Sequence, residues 1–106
     1  MPIALVVALY VSPNQEAAFA HYESIATGWM REHGGEIVRA LRCAETGQGE
    51  ATPYEIHWVQ FASKQALDDY LSDPRLAEQA SLRASAICRT ELWTGHEIAP
   101  LGGAAL

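Results

Sequence analysis

The stretch IALVVALYV, residues 3–11, is a continuous apolar run near the amino end of the chain. Nine residues are enough for a β-strand, but a membrane-spanning helix needs about 20 apolar residues. If the run is a strand, both of its side-chain rows are apolar: Leu5, Val7, Leu9 and Val11 in one, and Ala4, Val6, Ala8 and Tyr10 in the other. An antiparallel strand with one face in water alternates apolar and polar residues. The run therefore predicts a central strand that is covered on both faces.

Signals for helix ends follow this strand. Ser12-Pro13, with Gln15 three residues after the serine, predicts a capped helix start, and His33-Gly34-Gly35 predicts the end of that helix. Ser63 and the pair Asp73-Pro74 predict the starts of a second, two-part helical region. Three further strands, rich in β-favouring residues, are predicted at 36–43, 54–61 and 86–94.

The resulting order, β-α-β-β-α-β, predicts an α+β fold of the ferredoxin-like type over residues 1–98. Its four-stranded antiparallel sheet is expected in the order 4-1-3-2, with both helical regions on one face. Residues 44–53 are a predicted loop, and residues 99–106 a loose tail. Cys43 and Cys88 fall on opposite edge strands of this sheet, too far apart for a disulfide.

The composition excludes several classes of partner. Thirteen acidic residues outnumber seven basic ones, Lys64 is the only lysine, and the formal charge is −6, so nucleic-acid binding is not expected. No charged lead precedes the apolar run, so a cytoplasmic protein without a membrane anchor is expected. Two cysteines are too few for a four-ligand zinc site, and no glycine-rich phosphate loop is present. We expect no metal, haem or flavin.

The second apolar row of the first strand predicts self-association. Two helical regions on one face leave the other apolar face open to water, and such a face requires a cover. A second copy related by a two-fold axis is the simplest cover, which predicts a homodimer through the sheet face. Trp58 or Tyr54 is expected to help cover the dimer seam.

Three segments carry a resemblance to a known group of proteins: HGGEIVR (33–39), FASKQALDDYLSDP (61–74) and LRASAICRTELWTG (82–95). Through them the chain resembles the dimeric α/β-barrel superfamily, and within it a small bacterial family described as a domain of unknown function. The resemblance implies a ferredoxin-like protomer and a homodimer, and it implies no agreed catalytic residues. The superfamily also contains cofactor-independent monooxygenases, haem-degrading monooxygenases and lactone isomerases.

The haem-degrading relatives use three residues that this chain lacks. They place an asparagine on the first strand, a tryptophan at the end of the third strand and a histidine in the last helix. Here the first strand has no asparagine, Phe61 stands at the tryptophan position, and residues 79–81 offer no histidine. Haem degradation by that mechanism is therefore not expected.

His57 and Arg89 are the candidate catalytic residues. An imidazole titrates near neutral pH, so His57 can act as a general base, or it can be a core residue bonded to a neighbour. Arg89 can hold an anionic group of a ligand, or it can pair with Glu91, which shares its strand face.

Tyr22, Trp29 and Phe61 are the candidate pocket residues. They would line a cavity between helix and sheet together with His57, with Arg89 as the anion partner; the alternative is that they are plain core. Two functions remain open on this basis. One is a module that binds a small hydrophobic ligand or only itself; the other is a cofactor-independent monooxygenase or isomerase acting on a small hydrophobic substrate.

Overall fold

The computed structural model describes residues 1–44 and 52–99 of the chain. The elements run β1 Ile3–Val11, α1 Glu16–Glu32, β2 Gly35–Arg42, β3 Glu55–Phe61, α2 Lys64–Leu71, α3 Pro74–Glu78, α4 Ala80–Ala86 and β4 Ile87–Gly95. This is the predicted ferredoxin-like α+β fold, with the second helical region divided into three short helices. Most of the predicted loop 44–53, and all of the predicted tail except Ala99, lie outside the described residues.

The four strands form one antiparallel sheet in the order β2-β3-β1-β4, which confirms the predicted arrangement. The apolar run is its second interior strand: Val7 of β1 is paired with His57 of β3 on one side and with Leu92 of β4 on the other. Cys43 follows β2 and Cys88 lies on β4, the opposite edge strand, and both are free thiols.

The predicted capping box at the start of α1 is wrong. The helix begins at Glu16, and its N-cap residue, Gln15, makes no side-chain capping bond. Instead the chain turns tightly between β1 and α1: Asn14 adopts a φ of 64°, and the Gln15 amide donates to the Ser12 carbonyl at 3.1 Å. Asparagine tolerates this left-handed conformation, so a turn forms where a serine cap was predicted.

The other predicted helix boundaries are confirmed. Gly34, at a φ of 79°, follows the end of α1. The Ser63 hydroxyl accepts from the Ala66 amide at 3.1 Å at the start of α2, and the Asp73 carboxylate accepts from the Arg75 amide at 2.9 Å at the start of α3. These short side chains satisfy amides that have no partner within the helix.

The hydrophobic core lies on the helix side of the sheet, in two clusters. One joins Leu9 of β1 to α1 and α4, and the other joins Leu5 of β1 and Val59 of β3 to α2. The register places the odd-numbered residues of β1 and β3 on the same face of the sheet, so both clusters are built on that face. Val7 lies between the two clusters and packs against both.

The opposite face of the sheet, which we call the open face, carries Val6, Ile56, Trp58, Trp93 and Leu41. Val6 is paired with both Trp58 and Trp93, and these three form an apolar strip across the sheet. Trp93 is 56% exposed. The described helices pack on the other side of the sheet. They cover one apolar row of β1, and the second apolar row points away from them.

Of the two residues predicted to lie at a dimer seam, Trp58 is on the open face and Tyr54 is not. Tyr54 precedes β3 and packs on the helix side, where its ring meets that of Phe19 edge to face, with centroids 5.6 Å apart. The prediction extended the strand one residue too far, and the alternation of side chains does not hold beyond its end. Within the described residues, no helix is long and apolar enough to cross a membrane.

Candidate functional site

A cavity of about 400 Å³ lies between the sheet and the helices, and we call it the central cavity. Its walls are mainly apolar and include Val7, Leu9, Val59, Leu67, Leu76 and Ile87. Leu71 and Leu92 also line it, and they are 57% and 47% exposed. Two such exposed leucines place the mouth of the cavity between α2 and β4.

One end of the central cavity is polar. Tyr22 and Glu23 reach it from α1, His57 from β3, Arg83 from α4 and Thr90 from β4. Elements that are distant in the sequence thus bring a carboxyl, an imidazole and a guanidinium to one apolar cavity. A few convergent polar groups in an otherwise apolar pocket are typical of a small-molecule site.

His57 is held by its neighbour on the strand. The residue is 5% exposed, and Nε2 lies 2.7 Å from Oε1 of Glu55. The other oxygen of this carboxylate accepts from Nε of Arg42 on β2 at 2.9 Å. Burial raises the pKa of the Glu55 carboxyl, but the hydrogen bonds from His57 and Arg42 outweigh it, so this pKa lies below its ordinary value.

Arg83 is positioned by the Thr90 hydroxyl, to which its Nη2 donates at 2.8 Å. Burial raises the pKa of Tyr22, and the positive charge of Arg83 acts in the opposite direction. Tyr22 is therefore a neutral phenol at ordinary pH and a polar contact for a ligand.

The sequence analysis missed three residues of this polar end: Glu23, Arg83 and Thr90. Glu23 is the acidic one. Burial raises the pKa of its carboxyl, and the nearby charge of Glu55 raises it further, while His57 and Arg83 lower it. A signal was present in the sequence: Glu23 lies four residues after Phe19 and one after Tyr22, inside the buried stripe of α1. A carboxyl in an apolar stripe is a functional candidate for that reason.

The structure brings three of the five predicted site residues together. Tyr22, His57 and Phe61 all line the central cavity. Phe61 belongs to the core as well, and Tyr70 packs against its ring with centroids 5.6 Å apart. The prediction that these residues border a space between helix and sheet agrees with their positions, and their roles stay predictions.

Arg89 does not join them, so it cannot serve as an anion partner in this cavity. It is paired with Tyr10 of β1 and lies on the open face, on the opposite side of the sheet from His57. Its Nη2 donates to Glu91 at 2.9 Å, and its guanidinium lies over the Tyr10 ring at 4.7 Å. The ion pair named as the alternative is present.

Trp29 is not part of the cavity wall either. It packs at the edge of the second core cluster, and the guanidinium of Arg75 lies 4.9 Å from its ring centroid. Trp29 is a packing residue that Arg75 covers.

A second, wider depression of about 630 Å³ lies on the other side of α1, between this helix and β2. Glu16, Arg31 and Arg42 line it, and Glu23 and His57 border both spaces. The polar end of the central cavity is therefore also the wall that separates it from this outer depression. Across residues 1–44 and 52–99, no group of three or more histidine, cysteine or acidic side chains is arranged to hold a metal ion.

No protein-family model and no curated protein matches the chain. Solved structures do match it. A protein of unknown function from Rhodopseudomonas palustris aligns with a TM-score of 0.76 at 17% identity, over 93% of this chain and 84% of its own. SnoaB, a cofactor-independent oxygenase from Streptomyces nogalater, aligns with a TM-score of 0.70 at 14% identity, over 95% and 97%.

A third structure, a dabb family protein with a ferredoxin-like fold from Mesorhizobium loti, aligns with a TM-score of 0.66 at 12% identity, over 92% of this chain and 98% of its own. These likenesses extend over nearly the whole chain, and at such identities they define its fold. The protein has a ferredoxin-like α+β fold.

Proposed function

We propose that the protein binds a small, mainly apolar molecule in the central cavity. The observation that carries this proposal is the cavity itself, about 400 Å³ of mostly apolar space with charged side chains at one end. Ligand pockets usually measure about 300–1,000 Å³ and have this distribution of polar groups. A well-packed domain of this size has few voids larger than a water molecule, so a space of this volume supports a binding role.

The charges at the polar end favour an uncharged ligand. Arg42 neutralises Glu55, and Arg83 lies close enough to Glu23 to affect the pKa of its carboxyl. A charged ligand would meet one group of like sign in a space of low dielectric constant, where the repulsion is strong. A neutral molecule with one polar group avoids this penalty.

The neutral dye N-phenyl-1-naphthylamine, whose emission rises in apolar surroundings, tests the proposal. Ala84 and Ser81 of α4 are both exposed, but only Ala84 lines the cavity. We expect saturable binding to the wild type and a loss of about tenfold or more in affinity with Ala84→Trp, which places a large ring at the cavity wall. Ser81→Trp should bind like the wild type. Equal binding by both variants, or no binding to the wild type, would contradict the proposal.

A second candidate function is a cofactor-independent oxygenase or isomerase, and the His57–Glu55 pair favours it. An imidazole oriented by a carboxylate beside an apolar cavity is the arrangement of a general base. Such a base can remove a proton from a carbon acid, which permits isomerisation. In an oxygenase, O₂ would then convert a CH₂ group to C=O, with the second oxygen atom and the two hydrogens leaving as water.

Exchange of the acidic CH₂ protons of 2-tetralone for deuterium tests the base function directly. If His57 is the base, His57→Ala should slow the protein-dependent exchange by about 10²–10⁴-fold. A smaller decrease would assign His57 to the core. Arg89→Ala, on the other face of the sheet, is the matched control and should leave the rate unchanged.

We further propose that the open face pairs with a second copy of the chain. Val6, Trp58 and Trp93 form an apolar strip there, and they belong to adjacent strands. Tryptophan is enriched where proteins associate, and a self-complementary sheet face suits a two-fold axis.

A further inference from the structure

We propose that Glu23 makes the central cavity selective for ligands that carry a neutral hydroxyl group on an apolar frame. Its carboxylate would accept a hydrogen bond from the ligand at the polar end of the cavity. This inference rests on the proposed ligand-binding function, and it adds the chemical group that the ligand must present.

The position of Glu23 on α1 directs it to the cavity. The buried residues of this helix are Phe19, Tyr22 and Ala26, and Glu23 lies within the same stripe. Residues three and four apart share one face of a helix, so Glu23 faces the sheet together with Phe19 and Ala26. It borders both the central cavity and the outer depression.

The carboxylate of Glu23 lacks a hydrogen-bond donor among the residues that the structure describes. Its backbone carbonyl accepts a hydrogen bond from the Thr27 hydroxyl. Glu55, by contrast, accepts from both Arg42 and His57. The Glu23 oxygens keep some access to solvent. A ligand that fills the cavity would displace that water, and a hydroxyl on the ligand would replace the hydrogen bond that the water makes.

The surrounding charges explain why the donor should be a hydroxyl and not an ammonium group. His57 and Glu55 approach Glu23 from β3, Arg83 from α4, and Tyr70 from α2. Burial raises the pKa of the Glu23 carboxyl, and the positive charge of Arg83 opposes a second cation in the same space. A hydroxyl can donate to Glu23 and accept from Arg83, because a guanidinium has five N–H donors and the bond to Thr90 leaves others available.

Two probes that differ by one hydroxyl group, naphthalene and 2-naphthol, test the inference. Their affinities are measured by competition with N-phenyl-1-naphthylamine. We expect the wild type to prefer 2-naphthol by about tenfold, the value of one charge-assisted hydrogen bond. Glu23→Leu should remove this preference and leave naphthalene binding within about threefold of the wild type.

Glu23→Gln provides a second variant of nearly the same shape, which keeps a neutral acceptor but not the charge. It should reduce the preference several-fold, and it decides the question if Glu23→Leu does not fold. Glu16→Gln is the matched control, because Glu16 lies on the same helix and borders only the outer depression. It should keep the full preference.

The outcomes separate this inference from the proposed function. Naphthalene binding without a preference for 2-naphthol, or a preference that survives in Glu23→Leu and Glu23→Gln, would overturn the role of Glu23 and leave the ligand-binding function standing. Failure of the wild type to bind either probe would overturn both.

Discussion

Nε2 of His57 lies 2.7 Å from Oε1 of Glu55, which stands two residues earlier on the same strand. Side chains two residues apart on a strand point to the same face, so β3 itself brings the imidazole and the carboxylate together. Arg42 binds the same carboxylate from the neighbouring strand, β2. This pair therefore connects the central cavity to the edge of the sheet, and its ionisation should affect the stability of the fold.

The variant Glu55→Gln tests that connection. Because the pKa of Glu55 is below its ordinary value in the folded protein, its carboxylate stabilises the fold above the unfolded pKa of about 4.3. This contribution is lost as the pH falls through the folded pKa. The variant should lower the free energy of unfolding by about 1 kcal/mol near pH 7, since the carboxylate is only partly buried.

Urea unfolding at a series of pH values measures this effect. The difference between wild type and Glu55→Gln should shrink as the solution becomes acidic, because protonation removes the same charge from the wild type. Glu36→Gln, at an exposed position of β2, is the control and should follow the wild type throughout. A constant difference at all pH values would show that the charge of Glu55 has no role.

A second ionic cluster joins the end of α1 to the start of α3. Asp73 accepts from His33 Nε2 at 2.9 Å and from Arg75 Nη2 at 2.7 Å, and it caps α3. The hydrogen bonds from Arg75, followed by that from His33, hold the pKa of Asp73 well below its ordinary range. Its stabilising contribution is therefore present above the unfolded pKa of about 3.9 and is lost only in strong acid.

We expect Asp73→Asn to lower the melting temperature by several degrees near neutral pH, because the cap and both charged hydrogen bonds are weakened. Asp69→Asn is the control. Asp69 is exposed on α2, and its contact is a single hydrogen bond from Gln65 at 2.8 Å. Thermal unfolding followed by circular dichroism compares them. Equal melting temperatures for the two variants would contradict the role given to Asp73.

Two glycines give opposite predictions for the same substitution. A Cβ added at Gly35 would lie 2.5 Å from Cζ of Phe61 and 2.8 Å from Cγ of Met30, whereas one added at Gly28 would meet nothing within 4 Å. Gly35→Ala should therefore destabilise the protein by about 1–3 kcal/mol. Gly28→Ala, inside α1, should stabilise it by about 0.5–1 kcal/mol. A denaturant midpoint that rises for Gly35→Ala would contradict the packing at Gly35, and one that falls for Gly28→Ala would contradict the open space at Gly28.

The order of the elements could be predicted because each signal is local. The apolar run of β1, the caps at Ser63 and Asp73, and the glycine after α1 all act within a few residues of the boundary that they define. The start of α1 was predicted wrongly because its local signals are compatible with two structures. Ser12, Pro13 and Gln15 fit either a capped helix or a turn, and the left-handed Asn14 decides between them.

The site could be predicted only in part, because alternation shows which residues share a face but not which face is covered. His57 and Phe61 were assigned to one row correctly, and so were Arg89 and Glu91. Since both rows of β1 are apolar, nothing in the sequence placed Arg89 on the open face. Finding Glu23 required attention to a charged residue within a buried stripe.

The two adjacent valines of β1 provide the sharpest test of the open face. Val6 is paired with Trp58 and Trp93 on the open face, and Val7 packs between the two core clusters on the helix face. A buried, unpaired charge is costly in either place. A charge at Val6 and a charge at Val7 should nevertheless have different effects, because Val6 lies on the open face and Val7 lies on the helix face.

Light scattering and thermal unfolding distinguish these effects. We expect the wild type to show twice the chain mass of 11.6 kDa. Val6→Glu should return the single-chain mass at micromolar concentration while keeping its secondary structure, because the charge lies on the face that we propose pairs with a second copy. Val7→Glu should instead lower the free energy of unfolding by several kcal/mol, because the charge is placed in the core. A wild type of 11.6 kDa would disprove the dimer, and loss of both dimer and fold from Val6→Glu alone would disprove the assignment of the two faces.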